Sequence, residues 1–238
     1  MYILVIQMTP LIVSIEGNIG AGKSTILEII QKEYGITQNG VVFLKEPVDE
    51  WYKIKDNNGR TMLENFYADP HKNAFAFQVM ACTTRTAMIK QALINNKDCK
   101  LILCERSIEA DAKIFAKMLF DDKLMNELEY QIYQLLYKEN HKMYPSDGFI
   151  YINTGADKCY ERVKKRDRTG EDNISIQYLR RCEEYHHQWF LKDRIQDPIL
   201  FLDTSEDIDL NDSTQYEKWS NQICDFIDRL SSIKMNSS

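Results

Sequence analysis

Leu11–Ser24 reads LIVSIEGNIGAGKS, and most of the fold can be worked outward from it. Leu11–Glu16 is a short run of apolar, largely β-branched residues closed by a glycine cluster, the pattern of a buried strand. Lys23–Glu33 sets Ile26, Ile29 and Ile30 at helical spacing. Between them Gly17–Ser24 is a complete G-x-x-x-x-G-K-[ST] motif, in the strand–loop–helix setting the motif requires. Three of the nine glycines fall between Gly17 and Gly22. With so few Cβ atoms, the backbone of Gly17, Asn18, Ile19, Gly20, Ala21 and Gly22 is free to curl its N–H groups round an anion. The helix that opens with Lys23, Ser24 and Thr25 adds its positive end. Lys23 has the reach for the β- and γ-phosphates of a nucleoside triphosphate, and the Ser24 hydroxyl suits Mg²⁺. A triphosphate site is expected, while the motif says little about the acceptor.

Further strands are expected at Val41–Leu44, Leu101–Cys104, Phe149–Ile152 and Ile199–Leu202. Helical stretches separate them: His71–Asn95, Asp122–Asn140, Ala156–Lys165, Ser175–Asp193 and Ser213–Leu230. Strands alternating with helices imply an α/β protein of three layers, a five-stranded parallel sheet flanked by helices, with right-handed crossovers. One domain over residues 1–238 is expected, its core spanning about 11–230 and the tail from Ser231 frayed.

Composition narrows the partners. Apolar residues make up 44% of the 238 and charged residues 28%, with a formal net charge of −6. An acidic balance argues against general affinity for nucleic acid or an anionic membrane. No run approaches the roughly 18 apolar residues of a membrane span. Met1–Ser14 lacks the marks of a signal or transit peptide, and Met8 offers a second start. The six cysteines show no C-x-x-C spacing, so zinc is not expected and reduced thiols in the cytoplasm are.

In open parallel sheets ligands bind beyond the carboxyl ends of the strands. The second strand runs into Glu46-Pro47-Val48 and then Trp51, which puts a carboxylate near the γ-phosphate. Glu46 there is either the acceptor of a hydroxyl proton or a strand-end acid facing water. The third strand ends in Glu105-Arg106-Ser107, where Glu105 suits a hydrated Mg²⁺ and Arg106 a phosphate or acceptor oxygen. On the helix between these strands Gln78, Ala81 and Arg85 share one face beside Phe77. An amide on such a face suits the edge of a nucleobase. Asp111 is placed to pair with Arg85, and Phe115 follows it by four residues. Arg162, Lys164, Lys165, Arg166 and Arg168 form the dense basic cluster of the chain, and Gly170 then breaks the helix. The pattern reads as a lid over about 162–173, closing cations over phosphates.

The motifs GNIGAGKST, EPVDEW, FAFQVMACTTR, ERSIEAD, RVKKRDRTGE and LDTSED occur in this order from Gly17 to Asp207. In them the chain resembles the deoxyribonucleoside kinases of the deoxycytidine and deoxyguanosine kinase group, over about Leu11–Leu230. The resemblance implies transfer of the γ-phosphoryl of ATP, or another triphosphate, to the 5′-hydroxyl of a deoxynucleoside. It implies Glu46 as general base, Arg106 at the 5′-oxygen, Glu105 at Mg²⁺ and Gln78 on the base. Tyr67 and Glu171 would take the sugar 3′-hydroxyl, and Arg162, Arg166 and Arg168 the phosphates. Asp207 would lie in the loop that senses the donor's base. Trp51, Phe77, Ala81 and Phe115 would wall the acceptor. The family is typically homodimeric, and members carrying the Arg85–Asp111 pair favour deoxycytidine or deoxypurines over thymidine. Met80 and Gly170 depart from the family's usual residues. A nucleoside monophosphate kinase of the thymidylate type and a non-catalytic nucleotide-binding subunit are the competing readings.

Overall fold

A seven-residue run buried along its whole length fits the middle of a parallel sheet, and β1 (Leu11–Gly17) lies there. The computed structural model describes residues 9–34, 40–168, 170–171, 173–193, 196–204 and 212–236. Met8 and Asp207 lie outside the described residues. The other strands are β2 (Val41–Leu44), β3 (Leu101–Glu105), β4 (Gly148–Asn153) and β5 (Ile199–Asp203). They form one five-stranded sheet in the order β2-β3-β1-β4-β5, every ladder parallel. Each expected strand forms within one residue of its expected ends.

The alternation of β1 divides the core. Leu11, Val13 and Ile15 pack with Ile26, Leu27 and Ile30 of α1 (Lys23–Tyr34) and with Ile223, Phe226 and Ile227 of α10 (Ser213–Asn236). On the other face Ile12 meets Ile89 and Ala92 of α4 (Pro70–Asn95). Phe149 and Tyr151 of β4 meet Ile114, Phe115 and Met118 on that side. Helices thus cover both faces, giving the three-layer P-loop architecture.

Several helices differ from expectation. A helix over Asp122–Asn140 was expected, but α7 runs Glu127–Met143. Lys123 turns to a φ of 62°, and Asn126 caps the new helix by accepting from the amides of Leu128 and Glu129, both at 3.0 Å. The expected helix Ser175–Asp193 is α9 (Ile176–His187) followed by a π-helical turn, Gln188–Lys192. The tail expected to fray from Ser231 stays helical to Asn236, because Lys234 donates to Asp147 at 2.9 Å and to the Pro10 carbonyl at 3.0 Å. Three helical segments had not been expected: α2 (Val48–Trp51), α3 (Met62–Ala68), and a run after β3. That run is α5 (Ile108–Ala110), a π-helical stretch Asp111–Ala116, and α6 (Lys117–Asp121). No helix among the described residues is long and apolar enough to cross a membrane.

Candidate active site

Because the ladders are parallel, β1, β2 and β3 deliver the glycine loop, Glu46 and Glu105-Arg106 to one edge of the sheet. The loop is tight where it meets α8 (Ala156–Arg166). Gly20 has a φ of 84°, and a Cβ there would lie 2.5 Å from the Cys159 carbonyl oxygen. Only glycine lets α8 approach so closely. Lys23 is buried and donates to the Asn18 carbonyl at 2.9 Å. Burial, with Arg106 nearby, lowers its ammonium pKa to about 8, against the pull of Glu46 and Glu105. Asn18 is tied to the Leu179 carbonyl of α9 at 2.9 Å, and Thr154 donates to the Ala21 carbonyl at 3.2 Å.

Ser24 Oγ donates to Glu105 Oε1 at 2.7 Å. Two hard oxygens at the end of a phosphate loop are the kind of donors that would suit Mg²⁺. Glu46 stands beside them. Its Oε1 accepts from Arg85 Nη2 at 3.1 Å and from Arg106 Nε at 3.2 Å. No hydrogen bond joins Glu46 Oε2 to the described residues. Burial would raise the Glu46 carboxyl, but Arg106, Arg85 and Lys23 outweigh it and hold the pKa at about 2.

Behind Glu46 the expected Arg85–Asp111 pair forms in two parallel bonds of 2.9 and 3.2 Å, with both side chains buried. Burial opposes the charge on Arg85, yet Asp111 and Glu46 more than offset it, so the guanidinium stays ionised. Arg106 is buried rather than at the surface, with a φ of 69°. Its guanidinium donates to the Gly17 carbonyl at 3.2 Å and lies 4.6 Å over the Phe115 ring. Its Nη1 has no partner among the described residues.

A cleft open to solvent at its mouth lies between these groups. Trp51, Phe77, Ala81, Phe115 and Tyr67 line its wall, with Phe77 set edge-on to Trp51 at 5.4 Å. Trp51 is fixed by its indole N–H donating to Thr84 Oγ1 at 2.9 Å. Gln78 also lines the cleft, buried, with its Oε1 unpartnered among the described residues. Such orphaned buried atoms are rare in folded proteins unless something binds them.

From above, Arg166 and Arg168 reach the cleft, and both pair with the buried Glu171. Arg166 Nε donates to Glu171 Oε2 at 3.1 Å. The α8 helix stops at Asp167, φ 47°, and Gly170 at φ 88° tucks against Glu64 and Leu63 of α3. This seats the segment on the acceptor wall and explains the glycine. Arg162 goes elsewhere. It donates to the carbonyls of Ala21 and Thr204, each at 3.3 Å, in a separate groove shared with Thr25 and Gly22.

Most of the described site residues line one cleft, Ile19 and Gly20 among them, while Ala21, Gly22, Thr25 and Arg162 line the separate groove and Gly17, Asn18, Ser24 and Arg85 line neither. Sequence reasoning missed Tyr178, Val48 and Leu63, which also line the cleft. Tyr178 had a signal, being the third residue of a helix capped by Ser175, which accepts from its amide at 3.1 Å. Sequence reasoning also missed Glu16, a fully buried acid at the end of an apolar strand.

Comparison with known proteins gives a consistent result. The family model described as deoxynucleoside kinase matches residues 13–228. A Fowlpox virus protein named "Probable deoxycytidine kinase" is 33% identical over 92% of this chain and 88% of its own length. The deoxycytidine kinase of Homo sapiens is 30% identical over 92% of this chain and 91% of its own. The mitochondrial deoxyguanosine kinase of Xenopus laevis is 28% identical over 90% and 88%.

Proposed function

The chain belongs to the deoxynucleoside kinase family, and from that premise we propose that it transfers the γ-phosphoryl of ATP to the 5′-hydroxyl of a deoxynucleoside in the presence of Mg²⁺. We further propose that deoxycytidine or a deoxypurine is favoured over thymidine. The observation that carries this reading is that two buried groups without partners among the described residues belong to side chains lining one cleft. They are Arg106 Nη1, on a guanidinium that donates to the Gly17 carbonyl of the phosphate loop, and Gln78 Oε1, which would meet the base.

The residues divide the work. Loop amides and Lys23 hold the triphosphate, and Ser24 with Glu105 would hold Mg²⁺, which supplies charge neutralisation on the phosphates. Glu46 Oε2 accepts the hydroxyl proton while both arginines keep its Oε1 fixed. A carboxylate held at about 2 is a weak base at rest, which suits a loose transition state in which the proton leaves late. Arg166 and Arg168, released from Glu171, would close on the transferring group, and Glu171 and Tyr67 would take the 3′-hydroxyl. The polar face of Arg85 and Asp111 suits an exocyclic amine and crowds a thymine methyl.

We also propose a homodimer in the cytoplasm. On α7, Leu128, Ile132 and Leu135 are 71%, 54% and 64% exposed and share one helix face, an apolar stripe that suits a second copy. All six cysteines are free thiols, as a reducing compartment requires.

Incubation with γ-labelled ATP and each of four deoxynucleosides, four ribonucleosides and the corresponding 5′-monophosphates tests the assignment. The expected result is strongest labelling of deoxycytidine or a deoxypurine. Thymidine as best substrate would remove the preference. Labelling of monophosphates alone would point to a monophosphate kinase, and no transfer at all to a nucleotide-binding subunit.

A further inference from the structure

Glu16 is used by none of the roles above, yet it lies at the centre of the site's framework. It belongs to the Ile12, Ser14, Glu16 side of β1, opposite the face that packs on α1, and is fully buried. Its Oε1 accepts from the Ser107 amide at 2.8 Å and from Ser14 Oγ at 2.9 Å, while Oε2 has no partner among the described residues.

The Ser107 amide matters because of the residue before it. Arg106 sits at a φ of 69°, a left-handed conformation that a residue with a Cβ keeps only where its surroundings enforce it. Those surroundings are explicit. The Arg106 amide donates to the Ile15 carbonyl at 3.0 Å. The peptide joining Arg106 to Ser107 is held at its N–H by Glu16 and at its carbonyl by Arg85, at 3.4 Å. From this turn the guanidinium reaches Glu46 and the Gly17 carbonyl.

We propose that Glu16 is a positioning residue for phosphoryl transfer: by capturing the Ser107 amide it locks the left-handed turn at Arg106 and so aims the guanidinium between Glu46 and the phosphate loop. The proposal rests on the reading of Arg106 given under the proposed function. Without this acceptor the buried Ser107 amide would be orphaned, and Arg106 would relax toward negative φ and carry its side chain away. Burial raises the Glu16 carboxyl above its ordinary range, against the pull of Arg106. The side chain therefore acts here through the position of its oxygen more than through its charge, and a glutamine can replace it.

Steady-state kcat and KM, with Tm as a folding control, are measured for E16A, E16Q, E16D, R106A and the double variant E16A/R106A. A displaced reacting group costs up to about 10²-fold in rate. E16A is expected to lower kcat about tenfold or more, with KM for ATP and deoxycytidine within about threefold of the parent. E16Q should keep kcat near the parent. E16D retains the charge but withdraws the oxygen, so it should fall with E16A, and it serves with E16Q if E16A does not fold. On the R106A background E16A should cost less than about twofold more. Full kcat in E16A or E16D, a fall in E16Q as deep as in E16D, or additive losses in the double variant would each overturn the proposal. An unchanged kcat in R106A alone would overturn the reading of Arg106 beneath it, a separate and recognisable failure.

Discussion

Replacing Glu46 with glutamine is expected to lower turnover about a hundredfold or more while KM for the deoxynucleoside changes only a few-fold. The geometry separates the two effects. In the parent, both arginines donate to the same oxygen, Oε1, and a glutamine carbonyl can still accept from Arg85 and Arg106. The amide nitrogen that replaces Oε2 cannot take a proton. Binding is thus kept and the transfer step loses its acceptor. Single-turnover kinetics check the split, and near-normal turnover would remove Glu46 from the chemistry. The pH profile adds an independent reading. With its carboxyl held at about 2, Glu46 stays ionised at every working pH and produces no acid limb above about pH 4. Lys23, lowered to about 8, is charged below that pH and loses its proton above it. The kcat/KM for ATP should therefore decline as pH rises through about 8, and Lys23→Arg, which stays charged, should lose that limb.

Asp111→Ala is expected to destabilise the fold by about 3 kcal/mol, because it breaks a buried two-bond ion pair and leaves the buried Arg85 with Glu46 as its one carboxylate partner among the described residues. Both side chains of the pair are 3–4% exposed, so water cannot replace the lost carboxylate. Domains of this kind are stable by about 5–15 kcal/mol in all, so the change should be plain in a denaturant midpoint. Removing both charges in Arg85→Leu with Asp111→Ala should recover part of that loss. Recovery stays partial because Arg85 also donates to Glu46 and to the Glu105 carbonyl, at 3.1 and 3.0 Å. The same double variant should relax discrimination against thymidine, since apolar room replaces the polar face. A loss below about 1 kcal/mol for Asp111→Ala would contradict the account of this pair.

The sheet was legible because each strand is a short apolar run followed by a helix, and period alone separates the two. The acceptor side was legible for a related reason. In a parallel sheet, whatever follows β2 and β3 lands beside the glycine loop, so Glu46 and Arg106 could be placed without knowing a distance. Arg85 and Asp111 were found through helical spacing and opposite charge. What escaped had no periodic signal. Helices α2 and α3 span only four and seven residues, too short for an apolar stripe, although the Thr61–Glu64 capping box marked the second. The Asp122–Asn126 stretch is polar enough to read as helix, and only the cap at Asn126 shows where α7 begins. Nothing in the letters announces that an arginine will adopt a positive φ, since that depends on bonds to Ile15, Glu16 and Arg85 made across the sheet. Glu16 was hidden because a strand buried on both faces reads as an apolar run, and a single acid at its end carries no signal of its own burial.

The central claim is that the triphosphate held at Lys23 and the hydroxyl facing Glu46 share one cleft. Binding of a deoxycytidine joined 5′ to 5′ through a polyphosphate chain to adenosine tests this directly. The account predicts competition against ATP and against deoxycytidine alike, with an affinity above that of either ligand alone. Competition against one of them only, or an affinity no better than that of ATP alone, would contradict it.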